Sequence, residues 1–93
     1  MPKYTSDIIA RYTLYFTSKC VVEAMHVHAS DKEMSVKNSA KLYVYENGDT
    51  KIMQNGGINE PDMILIQKYI KINHKEMYKK WSNYSEKGYY RKR

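Results

Sequence analysis

Lys41-Leu42-Tyr43-Val44-Tyr45-Glu46-Asn47-Gly48-Asp49-Thr50-Lys51-Ile52-Met53-Gln54-Asn55-Gly56-Gly57-Ile58-Asn59-Glu60-Pro61-Asp62 is the stretch on which the fold turns. Lys41 to Tyr45 and Thr50 to Gln54 read as two strands, with Tyr43 and Tyr45 sharing an outward face. Between them, Asn47-Gly48 suits the positive φ angles of a type I′ hairpin turn. A two-residue loop would set Glu46 against Asp49, and that like-charge pair favours a looser turn. Asn55-Gly56-Gly57 ends the sheet. Asn59 then caps a helix, Pro61 fits its first turn, and the carboxylates of Glu60 and Asp62 suit the positive end of its dipole.

Working outward, the residues after Asp62 keep a helical period. Met63, Ile66, Ile70, Met77, Trp81 and Tyr84 fall on one face, and Lys68, Lys71, Lys75 and Lys79 on the other. Leu65 and Ile72 lie near the lysine stripe as isolated exposed apolar residues or partner contacts. Upstream, Ile9 to Thr17 alternates, with Tyr12, Leu14 and Phe16 on one side, and Ala24 to Ser30 alternates again. The expected fold is α+β: a small antiparallel sheet of about four strands packed against a long C-terminal helix. One domain should span residues 1–93, with 1–8 as a flexible N-terminus and 86–93 as a flexible basic tail.

At 93 residues the chain suits one core without a disulfide framework. Cys20 is its single cysteine, so no intramolecular disulfide can form, and a reducing, cytoplasmic setting with an incidental thiol is expected. Lys3, Asp7 and Arg11 break the N-terminal apolar stretch, and no later run approaches a membrane span, so neither export nor membrane insertion is expected. The formal net charge is +6. It is unevenly placed, since residues 68 to 93 carry nine basic side chains against Glu76 and Glu86. A basic helix and tail of this kind suit either RNA or the ribosome, or a solvated charged face.

Three histidines carry the chemistry that the residues alone suggest. His26 and His28, two apart on a strand, project from one face as an acid/base pair or a His-x-His metal pair would. His74 lies on the flank of the helix core face, where it could join them. Structural or solvent-exposed histidines are the alternative. Aromatics interleaved with lysines can stack bases, and Tyr43, Tyr45, Tyr84, Tyr89 and Tyr90 fit that description, although Tyr is also favoured in strands. Walker loops, dinucleotide fingerprints, nucleophile elbows, zinc-finger spacings and His-Glu-x-x-His are absent, which sets those enzyme classes aside.

The order of Arg11-Tyr12-Thr13-Leu14-Tyr15-Phe16, then Met25-His26-Val27-His28-Ala29, a hairpin, and Ile66-Gln67-Lys68-Tyr69-Ile70-Lys71-Ile72-Asn73-His74-Lys75-Glu76-Met77-Tyr78-Lys79-Lys80-Trp81 resembles the small bacterial family called domain of unknown function 4160. The resemblance covers about residues 9 to 84 and singles out His26, His28, His74, Glu76 and Trp81. It departs at Glu23-Ala24-Met25, where the family carries prolines before the first histidine. It implies a toxin-like component of a toxin–antitoxin pair with a small cognate, antitoxin-like protein partner.

The expectation is therefore a toxin-like protein acting on RNA, as a ribonuclease if His26, His28 and His74 serve in catalysis. Lys68, Lys71, Lys75, Lys79, Arg91 and Arg93 would hold the nucleic acid. Two other classes stay open: a non-enzymatic nucleic-acid- or protein-binding module, and a metal-binding protein using His26, His28 and His74. No cofactor is expected.

Overall fold

The computed structural model describes residues 3–17, 22–31 and 39–91. Cys20 and Arg93 lie outside the described residues. The chain forms β1 (Lys3–Ile9), β2 (Tyr12–Tyr15), β3 (His26–Ser30), β4 (Ala40–Val44), β5 (Thr50–Gln54) and α1 (Glu60–Ser82). The five strands make one antiparallel sheet in the order β1-β2-β3-β4-β5. The α+β architecture with a C-terminal helix is as expected, with one strand more.

The extra strand comes from a turn that the alternation conceals. Ala10 and Arg11 both take positive φ, 49° and 74°, and Ile9 pairs with Tyr12 across them. A two-residue hairpin needs this twist, yet neither residue is Gly, Asn or Asp. Each L-residue in this region costs about 1–2 kcal/mol, and the paired strands must offset it. The single strand expected from Ile9 to Thr17 is thereby split, and most of the expected flexible N-terminus becomes β1.

The second hairpin is looser than type I′, as the opposed carboxylates suggest. Only Gly48 takes positive φ, at 91°. The Gly48 N–H donates to Tyr45 O at 2.9 Å and the Tyr45 N–H to Asp49 O at 2.8 Å, closing a three-residue loop. Asn47 Oδ1 accepts from the Asp49 N–H at 2.9 Å.

Helix α1 starts where the capping residues place it. Asn59 is extended, and its side chain accepts from the Asp62 N–H at 3.0 Å. Met63, Ile66, Ile70, Met77 and Trp81 are buried, five of the six residues assigned to the core face. Tyr84 lies beyond the helix end, 56% exposed, with its ring edge-on to Phe16. This face packs with Leu14, Phe16, Val27, Ala29, Leu42 and Val44 into one core.

The chain after α1 is tied down. Trp81 Nε1 donates to Lys87 O at 2.8 Å, the Met25 N–H to Gly88 O at 2.9 Å, and the Tyr90 N–H to Val44 O at 2.9 Å. Tyr90 then bridges Tyr45 in parallel. Lys87 to Tyr90 are thus part of the folded body, in place of the free tail expected from residue 86.

The helix faces give a direct test. Ile70→Ala, at a fully buried position, should cost about 2–5 kcal/mol. Ile72→Ala, two residues on and 80% exposed, should change stability by less than about 0.5 kcal/mol. Urea denaturation of the two variants measures the difference, and equal costs would contradict this orientation of α1.

Candidate functional site

β3 is the middle strand of the sheet, paired along both edges, and its residues His26 to Ala29 are buried on both faces. Val27 and Ala29 face the core shared with α1, while His26 and His28 alternate with them. Register sets His26 opposite Tyr43, and His28 opposite Lys41 on one side and Tyr15 on the other. The two imidazoles lie 5.1 Å apart, nearly perpendicular. Trp81 and Tyr43 flank His26 at 5.6 and 5.7 Å, and Tyr15 stacks on His28 at 5.7 Å.

Hydrogen bonds orient both rings through Nδ1. His26 Nδ1 lies 2.9 Å from Ala24 O, and since a carbonyl only accepts, Nδ1 is the donor of that bond. His28 Nδ1 lies 2.9 Å from Ser39 Oγ. Both Nε2 atoms are buried without a hydrogen-bond partner among the described residues. With exposures of 0% and 1%, the rings are enclosed, and a substrate does not reach them in this structure.

His74 does not join the pair. It sits where α1 passes the β4–β5 turn, with Nδ1 2.9 Å from Lys71 O and its ring 6.1 Å from Tyr89. A Cβ on Gly48 would fall 2.6 Å from His74 Nδ1, so the turn needs glycine for this close approach as well as for its φ. Among the described residues no three His, Cys, Asp or Glu side chains gather to hold a metal ion. The three-histidine centre is therefore corrected: β3 holds two of its members inside the fold, and the third lies on α1 beside the β4–β5 turn.

Beside the histidine pair lies a cluster that the sequence did not mark. Glu23 Oε1 accepts from Lys41 Nζ at 2.8 Å and from the Tyr43 hydroxyl at 2.6 Å. The Lys41 hydrogen bond, then that of Tyr43, holds the Glu23 carboxyl below its ordinary pKa. For Lys41, burial works against the charge, but the hydrogen bond and charge of Glu23 outweigh it and keep the pKa raised. Tyr43 is pushed up by its hydrogen bond to Glu23 and by burial.

The tyrosines extend this cluster across the surface. Tyr90 stacks on Tyr43 at 4.1 Å and meets Tyr45 edge-on at 5.4 Å. Lys41 Nζ lies 5.1 Å from the centre of the Tyr43 ring, and Lys51 Nζ 5.7 Å from that of Tyr90, distances at which cation–π attraction operates. Tyr45 is shared by two concavities. One is walled by Lys51, Lys68 and Lys71, the other by Tyr90 and Arg91. The structure thus brings Lys68, Lys71 and Arg91 to one tyrosine-lined surface. Lys75 and Lys79 stay on the exposed flank of α1, where Lys79 pairs with Glu76 at 3.2 Å.

Glu23, Ser39, Lys41 and Lys51 were missed. Alternation in β4 puts Lys41 and Tyr43 on one face, but only the register with β3 puts that face beside His26 and His28. Trp81, singled out by resemblance, is a core residue that anchors the chain after the helix.

The Glu23 cluster predicts a pH dependence. A carboxyl with a depressed folded pKa stabilises fully above its ordinary value, and that contribution is lost as pH falls through the lowered value. Glu23→Gln should thus destabilise the protein at neutral pH by no more than about 1 kcal/mol, the pair being partly solvated. By about pH 3 the difference from the parent should shrink. Urea denaturation at both pH values checks this, and a pH-independent difference would refute it.

A family described as Domain of unknown function (DUF4160) has a model that matches residues 11–82, and the chain belongs to it. No curated protein and no solved structure matches the chain. Among the described residues no helix is long and apolar enough to cross a membrane.

Proposed function

We propose that the chain is the RNA-directed, toxin-like member of a toxin–antitoxin pair, acting in the cytoplasm by binding RNA. The observation that carries this reading is the gathering of Tyr43, Tyr45 and Tyr90 into one cluster, flanked by Lys41, Lys51 and Arg91. Single-stranded RNA is held by this combination: bases stack on tyrosine faces while cations follow the phosphates. Lys68 and Lys71 extend the cationic wall along α1, although Lys71 is already bonded to Asp49 at 2.8 Å.

Enclosure of His26 and His28 favours inhibition by occupancy over cleavage. General acid–base catalysis requires the ring within hydrogen-bond reach of the reacting group, and neither ring is open to solvent. The pair instead packs the middle of the sheet. A small cognate protein would relieve inhibition by covering the same tyrosine and lysine surface.

The test is fluorescence anisotropy of labelled oligouridylate with the full chain. Stacking contributes about 1–3 kcal/mol per base, so Tyr45→Ala with Tyr90→Ala should weaken binding by about 5-fold or more. Arg91→Glu with Lys51→Glu should lower the salt dependence by about 0.7 logarithmic units for each phosphate no longer neutralised. Expression of the parent should slow growth, and the tyrosine variant should not. A folded His26→Phe variant should still inhibit. Loss of inhibition in that variant, with RNA bound as before, would replace occupancy by cleavage. Undiminished RNA binding by the tyrosine variant would rule this surface out as the binding site.

A further inference from the structure

β5 is the last strand of the sheet, paired with β4 on one side and with no strand on the other among the described residues. An edge strand presents every second N–H and C=O outward, and proteins usually cover or charge such an edge. Here a groove runs along it. One half lies between Thr50, Lys51 and the Ile64, Lys68 and Lys71 side of α1. The other half lies between Ile52, Asn55 and Glu60, Met63 and Ile64. Gln67 lines both halves and donates from Nε2 to Thr50 Oγ1 at 3.0 Å, marking the middle.

The two halves differ in chemistry. Ile52 and Ile64, both 42% exposed, leave apolar surface open in one half, above the buried Met63. The other half is cationic. Asp49 neutralises Lys71 at 2.8 Å, while Lys51 and Lys68 have no carboxylate partner among the described residues. An edge strand and a helix flanking a groove form the arrangement that captures an extended segment by strand addition.

We infer that the β5–α1 groove docks an extended acidic segment of another protein, which adds to the sheet as a sixth strand. Its backbone pairs with β5, alternate apolar side chains enter between Ile52 and Ile64, and its acidic end lies against Lys51 and Lys68. Charge argues against a second copy of this chain, because pairing two β5 edges would bring Lys51 and Lys68 of both copies close together on chains of net charge +6. The docking does not rest on RNA binding, though Lys51 and Lys68 belong to both surfaces. Segment and RNA therefore exclude each other there.

Two eight-residue synthetic peptides serve as probes, each alternating Val and Thr and carrying three Glu residues at one or the other terminus. Amide hydrogen exchange of the full chain is followed by NMR, with oligouridylate as a separate arm. At least one peptide should slow exchange at Thr50–Gln54. Methylating its alternate amide nitrogens should weaken binding by about tenfold or more, as loss of several backbone hydrogen bonds requires. Lys51→Glu with Lys68→Glu, exposed positions checked for folding by circular dichroism, should weaken it by about tenfold. The methylated control uses the unaltered protein and so is independent of variant folding. Absence of protection by either peptide would overturn the proposal. Equal binding of the methylated peptide would overturn strand addition, and protection by oligouridylate alone would make the groove a nucleic-acid site. Loss of RNA binding elsewhere, with peptide protection kept, would defeat only the functional reading above.

Discussion

Trp81 is where helix, sheet and chain end meet, and the rest of the structure depends on its burial. Its ring packs edge-on against Phe16 at 5.2 Å and lies 5.6 Å from His26, while Nε1 donates to Lys87 O. Aromatic contacts of this kind add about 0.5–1.5 kcal/mol beyond the area they bury. The bond to Lys87 turns the chain back beneath the sheet. Only then can Gly88 accept from Met25 and Tyr90 reach Val44 and stack on Tyr43. The tyrosine surface thus depends on a core residue that takes no part in it.

The histidine pair shows the same coupling from the other side. Two imidazoles in a closed interior are tolerated because Ala24 O and Ser39 Oγ satisfy one nitrogen each. The remaining nitrogens have no partner among the described residues, which costs about 1–3 kcal/mol apiece. Those costs are borne by the packing of Tyr15, Tyr43 and Trp81 around the rings. The partly exposed polar chemistry lies directly across the β3–β4 pairing, in Lys41 and Tyr43 with their shared partner Glu23.

Charge divides the surface by use. Lys79 pairs with Glu76 and Lys71 with Asp49, which lowers the field those lysines project. Lys51 lies near the Tyr90 ring, where its charge remains available to an anion. The same lysine borders the outer edge of β5, so any anionic partner that pairs with that edge also meets the cationic wall.

Local chemistry determined what the sequence showed by itself. Asn59, Pro61 and the period of Met63, Ile66, Ile70, Met77 and Trp81 specify α1, because capping and helical spacing act within a few residues. Asn47-Gly48 specifies a hairpin for the same reason. The turn at Ala10-Arg11 was hidden, since neither residue favours positive φ and strand pairing imposes it. Only the tertiary structure decided that His26 and His28 are enclosed, that His74 stands apart, and that Glu23, Lys41, Tyr43 and Tyr90 form one cluster. Strand register and the path of the chain after Trp81 bring those residues together, and both are settled by contacts between segments far apart in sequence, which no local pattern encodes.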